Sequence, residues 1–217
     1  MNPPTLHFRC LHGDTLEHVR TEFEDVKEAT FERTGITQGG GYFEMVDCIM
    51  TTANSFGRMD GGVDGAVNAL MTMYEPSQRL FLHRVQDDIV REYHGEQPVG
   101  TCLLVPTSHP RISFVAHAPT MRVPEDVSDG LNAYLAFRAV MSAVRRHNTT
   151  TTTAFSPIRH ILCAPCCTSS GSMAAPRAAK QMRAAYASVY EKSEPRLREE
   201  LQDWRELHRA HRHLRSH

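Results

Sequence analysis

The chain has 217 residues, 41% of them hydrophobic, and a formal net charge of -1. That length fits one domain with a modest appendage, and a core of this size needs no disulfide or metal to hold it. Global charge does not select nucleic acid or a membrane surface as partner, and no run approaches the roughly eighteen apolar residues that span a bilayer.

Read in chain order, Leu6–Cys10 is a short strand. Asp14 is a candidate N-cap for a helix over Thr15–Phe23, whose stripe is Leu16, Val19 and Phe23. A second strand is expected near Ala29–Arg33, then a Gly-rich loop over Thr37–Gly41. Met45–Thr51 is nearly continuous in apolar residues and reads as a buried strand. The next helix starts at Gly62–Val63, with Val63, Ala66, Val67, Leu70 and Met71 on one face and Pro76 as its stop. Leu80–Tyr93 is a helix with Leu82, Val85, Ile89 and Val90 in register.

Two strands follow, Gly100–Val105 and Ile112–Ala116, and Pro119–Gly130 is irregular. Leu131–Arg146 is a helix lined by Leu131, Tyr134, Leu135, the Arg138 stem, Met141 and Val144. Asn148–Thr153 is a polar connection, Ile158–Ala164 a strand and Cys166–Ser172 a polar turn. Ala174–Tyr190 is an Ala-rich helix. From Pro195 a last helix should dock through Leu197, Leu201, Trp204, Leu207 and Leu214. Two units follow: residues 1–190 as the domain, and 191–217 as a helical extension packed on it.

Charge and cysteine are unevenly spread. Residues 176–217 hold ten Lys/Arg against six Asp/Glu, a net of +4, which leaves -5 on the rest. This basic, His-rich tail suits an acidic protein partner, and a solvated helix face explains it as simply. Met1–His12 lacks the long apolar segment of a signal peptide, so an intracellular protein, cytoplasmic or nuclear, with its six cysteines mainly reduced is expected. Cys163-x-x-Cys166-Cys167 resembles half of a metal site, but no second pair follows; neither metal nor cofactor is expected.

Strands alternating with helices argue for an α/β fold with a largely parallel sheet. In such sheets ligands bind beyond the carboxyl ends of the strands. Asn54–Asp64 and Cys166–Met173 both occupy that position and both are rich in small residues. Gly57, Gly61 and Gly62 let a ligand approach the backbone. A helix opening after Gly62 offers unpaired N–H groups to a phosphate or sugar, and Asn54 can donate and accept at a ribose. The plain alternative is a structural βα turn with Asn54 or Asp60 as its cap.

The run from Asp47 through Ala53-Asn-Ser-Phe-Gly-Arg-Met-Asp-Gly-Gly-Val-Asp64 resembles the signature of the macrodomain family. Further matches come in order: Gly95-Glu96 with Pro98-Val99-Gly100, Ala118-Pro-Thr-Met-Arg-Val-Pro124, Asn132-Ala-Tyr-Leu-Ala-Phe-Arg-Ala139, Cys163-Ala-Pro165 and Ala178-Ala-Lys-Gln-Met-Arg-Ala184. The resemblance implies a three-layer α/β/α fold with a mixed, largely parallel central sheet, carrying here an added C-terminal helix. It also implies a surface cleft for ADP-ribose or an ADP-ribosylated protein. Ala53 and Asn54 would meet the distal ribose, and Gly61, Gly62 and Val63 would lie along that ribose and the diphosphate. Thr168, Ser169, Ser170, Gly171 and Ser172 would wrap the phosphates with backbone N–H groups. Phe155 is a candidate stacking residue, and Asp14 a candidate adenine contact in a Gly-Asp pair, with Gly35-Ile36 at a better distance but without the acid.

Departures from the family pattern concern the second loop, where Gly171 stands alone and Cys166, Thr168 and Ser170 carry Cβ atoms that could crowd a diphosphate or strain left-handed dihedrals. Arg122 reads as an ion-pair or phosphate residue, Asn132 as a helix-start residue, and His117 as a partly buried histidine at a strand end. Three functions stay open. A hydrolase would use Asn54 to hold the ribose, Gly61-Gly62 to place water, and Asp60 or Asp64 to assist. A reader would bind without chemistry. A scaffold with a degenerate cleft would act through its C-terminal helix.

Overall fold

The computed structural model describes residues 2–38, 45–76, 79–150 and 156–216. Its elements are β1 (Thr5–Arg9), α1 (Gly13–Glu22), β2 (Ala29–Glu32), β3 (Cys48–Asn54), α2 (Gly62–Thr72), α3 (Phe81–Tyr93) and β4 (Leu103–Pro106). They continue with β5 (Phe114–Met121), α4 (Asn132–Thr150), β6 (His160–Cys163), α5 (Ala175–Tyr190), α6 (Glu194–Gln202) and α7 (Trp204–Arg215). The strands form one sheet in the order β2-β1-β6-β3-β5-β4. Neighbours are parallel except the antiparallel pair β4–β5.

Alternation along each strand splits the core into two faces. Leu6, Phe8, Met50, Ala116 and Ile161 pack with residues of α1, α4 and α5. Ile49, Val115 and Leu162 pack with residues of α2 and α3, among them Val67, Met71, Phe81 and Val85. Helices on both sides of one sheet make the expected three layers.

Several boundaries differ from the sequence reading, each for a local reason. Asp14 lies in the first turn of α1, and His12 is the N-cap. β3 starts at Cys48 and runs on to Asn54. β5 runs through Pro119 to Met121, and the ladder with β3 is irregular between Ala53 and Asn54, beside the residue that lacks an N–H. α4 absorbs Asn148–Thr150, where the hydroxyls of Thr149 and Thr150 donate to the carbonyls of Arg145 and Arg146 one turn back in place of bonds outside the helix. Its buried face is mostly small, with Ala133, Ala136, Phe137, Val140 and Val144, while Leu135 is exposed. Alanines answer from α5 at 178, 179 and 185, so two smooth faces meet. In α3 the face is Phe81, Val85 and Ile89, and Val90 is exposed.

The single C-terminal helix is instead two. The chain breaks at Asp203 (φ -111, ψ 93), whose carboxylate accepts from the N–H groups of Arg205 and Glu206 and so starts a new helix. Leu201 and Trp204 are 72% and 73% exposed, so they form no docking face. The far end does the docking: Leu214 is buried, and Gln181 Nε2 donates to its carbonyl at 3.1 Å. No described helix is long and apolar enough to cross a membrane.

Candidate functional site

β1, β6 and β3 lie side by side and parallel, so their carboxyl ends share one edge of the sheet. The chain leaving each strand there lines one cleft of about 540 Å³. β1 contributes Arg9–His12, β3 contributes Thr52–Asn54 and Asp60–Asp64, and β6 contributes Ala164, Pro165 and Cys167–Gly171. Gly35–Gln38 closes one end, and Thr120 and Met121 at the end of β5, with Pro124 beyond it, close another side. The two small-residue segments therefore meet across one cavity.

The first segment is shaped by Asn54. Its Oδ1 accepts from the N–H groups of Phe56 (3.1 Å) and Arg58 (3.3 Å), and its Nδ2 donates to the Arg58 carbonyl at 3.1 Å. The side chain thus folds the turn that the sequence reading gave it only to contact. Behind it, buried Thr120 donates to the Ala53 carbonyl at 3.1 Å and holds the end of β3 against β5. Gly61 caps α2 in extended backbone (φ -160), and a Cβ there would meet nothing within 4 Å. Gly62 has φ +55 and equally open space. Both glycines border the open cleft, and the first-turn N–H groups of α2 begin beside them.

The second segment turns at Cys167 (φ 63) and Ser172 (φ 56), not at Cys166, Thr168 or Ser170. Met173 N–H donates to the Cys167 carbonyl and Ser172 N–H to the Ser169 carbonyl, each at 3.0 Å. Among the described residues, no backbone hydrogen bond uses the N–H groups of Thr168, Ser169, Ser170 or Gly171. A Cβ at Gly171 would lie 2.8 Å from the Cys167 carbonyl oxygen and from Val127 Cγ2, so space requires glycine there. Cys163 and Cys166 are fully buried, and burial raises both thiols far above the ordinary range. No described cluster of His, Cys, Asp and Glu could hold a metal ion.

Charge in the cleft is sparse. Arg9 is 2% exposed; it donates to the Gln38 carbonyl and pairs with Glu32 at 3.0 Å, tying β1 to the 35–38 turn. Arg58 and Asp60 pair in the open at 2.9 Å. Asp64 is 6% exposed, and burial pushes its carboxyl up to about 7, with the nearby Asp60 charge acting the same way and Thr51 opposing it. Its Oδ1 meets no hydrogen-bond partner among the described residues.

Of the residues singled out in the sequence, Ala53, Asn54, Asp60, Gly61, Gly62, Val63, Asp64 and Thr168–Gly171 line the cavity. Ser172 and Asp14 do not; Asp14 sits within α1. Phe155 lies outside the described residues. Arg122 forms a two-pronged ion pair with Glu96 (2.7 and 3.0 Å) over the Phe56 ring, and Asn132 donates to the Thr120 carbonyl at 2.7 Å. His117 is not at a strand end: it lies inside β5 and is fully buried. The cleft residues missed by sequence are Arg9–His12 and Thr37–Gln38. Their signal was only that β1 ends at the first and β2 before the second.

A family model described as Macro domain matches residues 50–182. The solved macrodomain of Mycobacterium tuberculosis DarG is similar over 69% of this chain and 88% of its own, at 14% identity and a TM-score of 0.52. The Oceanobacillus iheyensis macrodomain with MES bound is similar over 78% and 87%, at 16% identity and a TM-score of 0.52. At such identities the likeness is one of fold. No curated protein matches the chain.

Proposed function

Because this chain belongs to the macrodomain family, we propose that its cleft binds ADP-ribose or a close derivative. One observation carries the reading: two segments over a hundred residues apart line a single cavity at one sheet edge, with open space at Gly61 and Gly62 and, among the described residues, no backbone hydrogen bond from the N–H groups of Thr168–Gly171. A diphosphate suits the Thr168–Gly171 segment, whose peptide groups can neutralise anionic oxygens without Lys or Arg. The ribose nearest the reacting bond suits Gly61, Gly62 and Val63, since the two glycines leave open space beside the cavity. The base then falls toward Cys10–His12 and Gly35–Gln38.

A second reading, hydrolysis of ADP-ribosyl linkages on a protein or metabolite, is favoured by Asp64. A carboxyl whose proton leaves near neutrality can help position or activate a water at the anomeric carbon. Asn54 would keep the turn in shape, and Asp60 would act on Asp64 through its charge.

Calorimetry with free ADP-ribose tests binding. Gly61→Val suits its extended backbone but fills the open cleft, so affinity should fall at least about tenfold with the fold intact. Equal affinity in both proteins would end the cleft assignment. Release of ADP-ribose from a modified protein, lost in Asp64→Asn while binding persists, would separate the hydrolase from a reader.

A further inference from the structure

The last turn of α7, the first turn of α4 and the turn between β5 and α4 converge on two side chains of α5. Gln181 is fully buried. Its Oε1 accepts from the Tyr134 N–H at 3.2 Å, and its Nε2 donates to the Gly130 carbonyl at 2.9 Å and to the Leu214 carbonyl at 3.1 Å. A side-chain amide has one acceptor end and two N–H donors, so these three partners fix its orientation. Tyr134 lies in the opening turn of α4 and Leu214 in the closing turn of α7, where a helix cannot pair its own backbone groups. Arg177, one turn earlier on the same face of α5, makes a parallel set of contacts. Its Nη2 donates to the Arg215 carbonyl at 3.0 Å and the Asp129 carbonyl at 3.3 Å, and its Nη1 reaches Asp129 Oδ1 at 3.4 Å. Arg215 adds a bond from its own side chain, Nη2 to the Asp129 carbonyl at 3.3 Å.

Asp129 and Gly130 belong to a turn whose other end touches the cleft. Gly130 N–H donates to the Val127 carbonyl at 2.9 Å, and Val127 N–H donates to the Gly171 carbonyl at 3.0 Å. Val127 Cγ2 also stands where a Cβ at Gly171 would come within 2.8 Å of it. The peptide after Gly171 is thus held at both ends, since Ser172 N–H donates to the Ser169 carbonyl at 3.0 Å. The N–H groups before it, those of Thr168–Gly171, have no backbone partner among the described residues. Contacts therefore run unbroken from α7 through α5 and residues 127–130 to Gly171.

We propose that the C-terminal tail is a buttress of the second cleft wall. Gln181, Arg177 and Arg215 are positioning residues. They hold the 127–130 turn, and through Val127 they fix the Gly171 peptide so that the N–H groups before it stay available to an anion. The proposal rests on the reading of this cleft as a diphosphate site. It gives the tail a part in binding although no described residue after Gly171 lines the cavity.

The test uses the full chain. Leu214→Asp detaches α7 by placing a charge at its buried residue, and Arg177→Met removes the guanidinium bonds while keeping the side-chain stem. Amide exchange of the ligand-free protein, read by NMR, should quicken at Val127 in both variants. The rise should be at least about tenfold beyond any change at Ile49 and Met50, whose central-strand amides report the stability of the whole domain. Calorimetry should show ADP-ribose affinity lower by about fivefold in both, and partly restored in Arg177→Lys, which keeps one donor. Trp204→Ala, on the exposed side of the same helix, should change neither reading. A rise at Val127 no larger than that at Ile49 in both variants overturns the buttress. So does quicker exchange at Val127 with ADP-ribose affinity equal to the parent's. Indifference of the unaltered protein to ADP-ribose would sink the ligand reading instead, and Val127 exchange would then decide alone whether the tail holds the wall.

Discussion

Burying Asp64 costs stability whenever the group is ionised. Burial raises its pKa to about 7 in the folded chain from an ordinary 3.8, so between those limits the folded state binds more protons. Stability from this group is therefore full at low pH and falls as pH rises through the window. Urea unfolding of Asp64→Asn and its parent should show a gap that widens by up to about 4 kcal/mol between about pH 4 and 8, in favour of the variant. A gap that ignores pH would contradict the burial. Asn54 makes a different point. Its identity and its place in the signature were legible, but its three hydrogen bonds within the turn were not, because they depend on how the chain folds back from residue 58. Asn54→Ala should cost about 2 kcal/mol in denaturant unfolding, beyond any effect on ligand.

Among the elements, the second cleft loop was recognised by position and misread in detail. The sequence reading gave Cys166, Thr168 and Ser170 either crowding of a diphosphate or left-handed strain; the left-handed residues are Cys167 and Ser172. Which residue takes that conformation is decided by tertiary contacts, the Val127 N–H to the Gly171 carbonyl and the Met173 N–H to the Cys167 carbonyl. Ser172→Gly should raise stability by about 1 kcal/mol, read as a higher melting temperature, while Ser170→Gly should leave it level. Helix faces failed in the same way. Large apolar residues drew attention to Leu135, Val90, Leu201 and Trp204, all exposed, while the alanines that let α4 and α5 approach carried little weight. The break at Asp203 was missed because an acidic residue inside a charged helical pattern reads equally well as a solvated face.

For the molecule as a whole, the alternation of strands and helices was enough to give a largely parallel sheet and to send both loops to one edge. The antiparallel edge strand β4 was not legible, since periodicity does not carry strand direction. The division near residue 190 is a matter for experiment. The extension meets the body at Leu214, with Arg177 Nη2 donating to the Arg215 carbonyl at 3.0 Å and Lys180 bonding Ser216. A chain ending at Tyr190 should fold cooperatively and melt a few degrees lower, about the effect of losing 1 kcal/mol. Loss of the cooperative transition would show the tail to be integral to the domain.

Sheet order also dictates an order of events during synthesis. Until β6 arrives, β1–β2 and β3–β5–β4 are two ribbons with nothing between them, and the strand that joins them is the last of the described strands to leave the ribosome. Both ribbons carry open edges until then, which invites premature pairing with other nascent chains. The closing stroke that removes those edges also delivers the Cys167–Gly171 wall, so a chain stalled before His160 would have half a cleft and two places to aggregate.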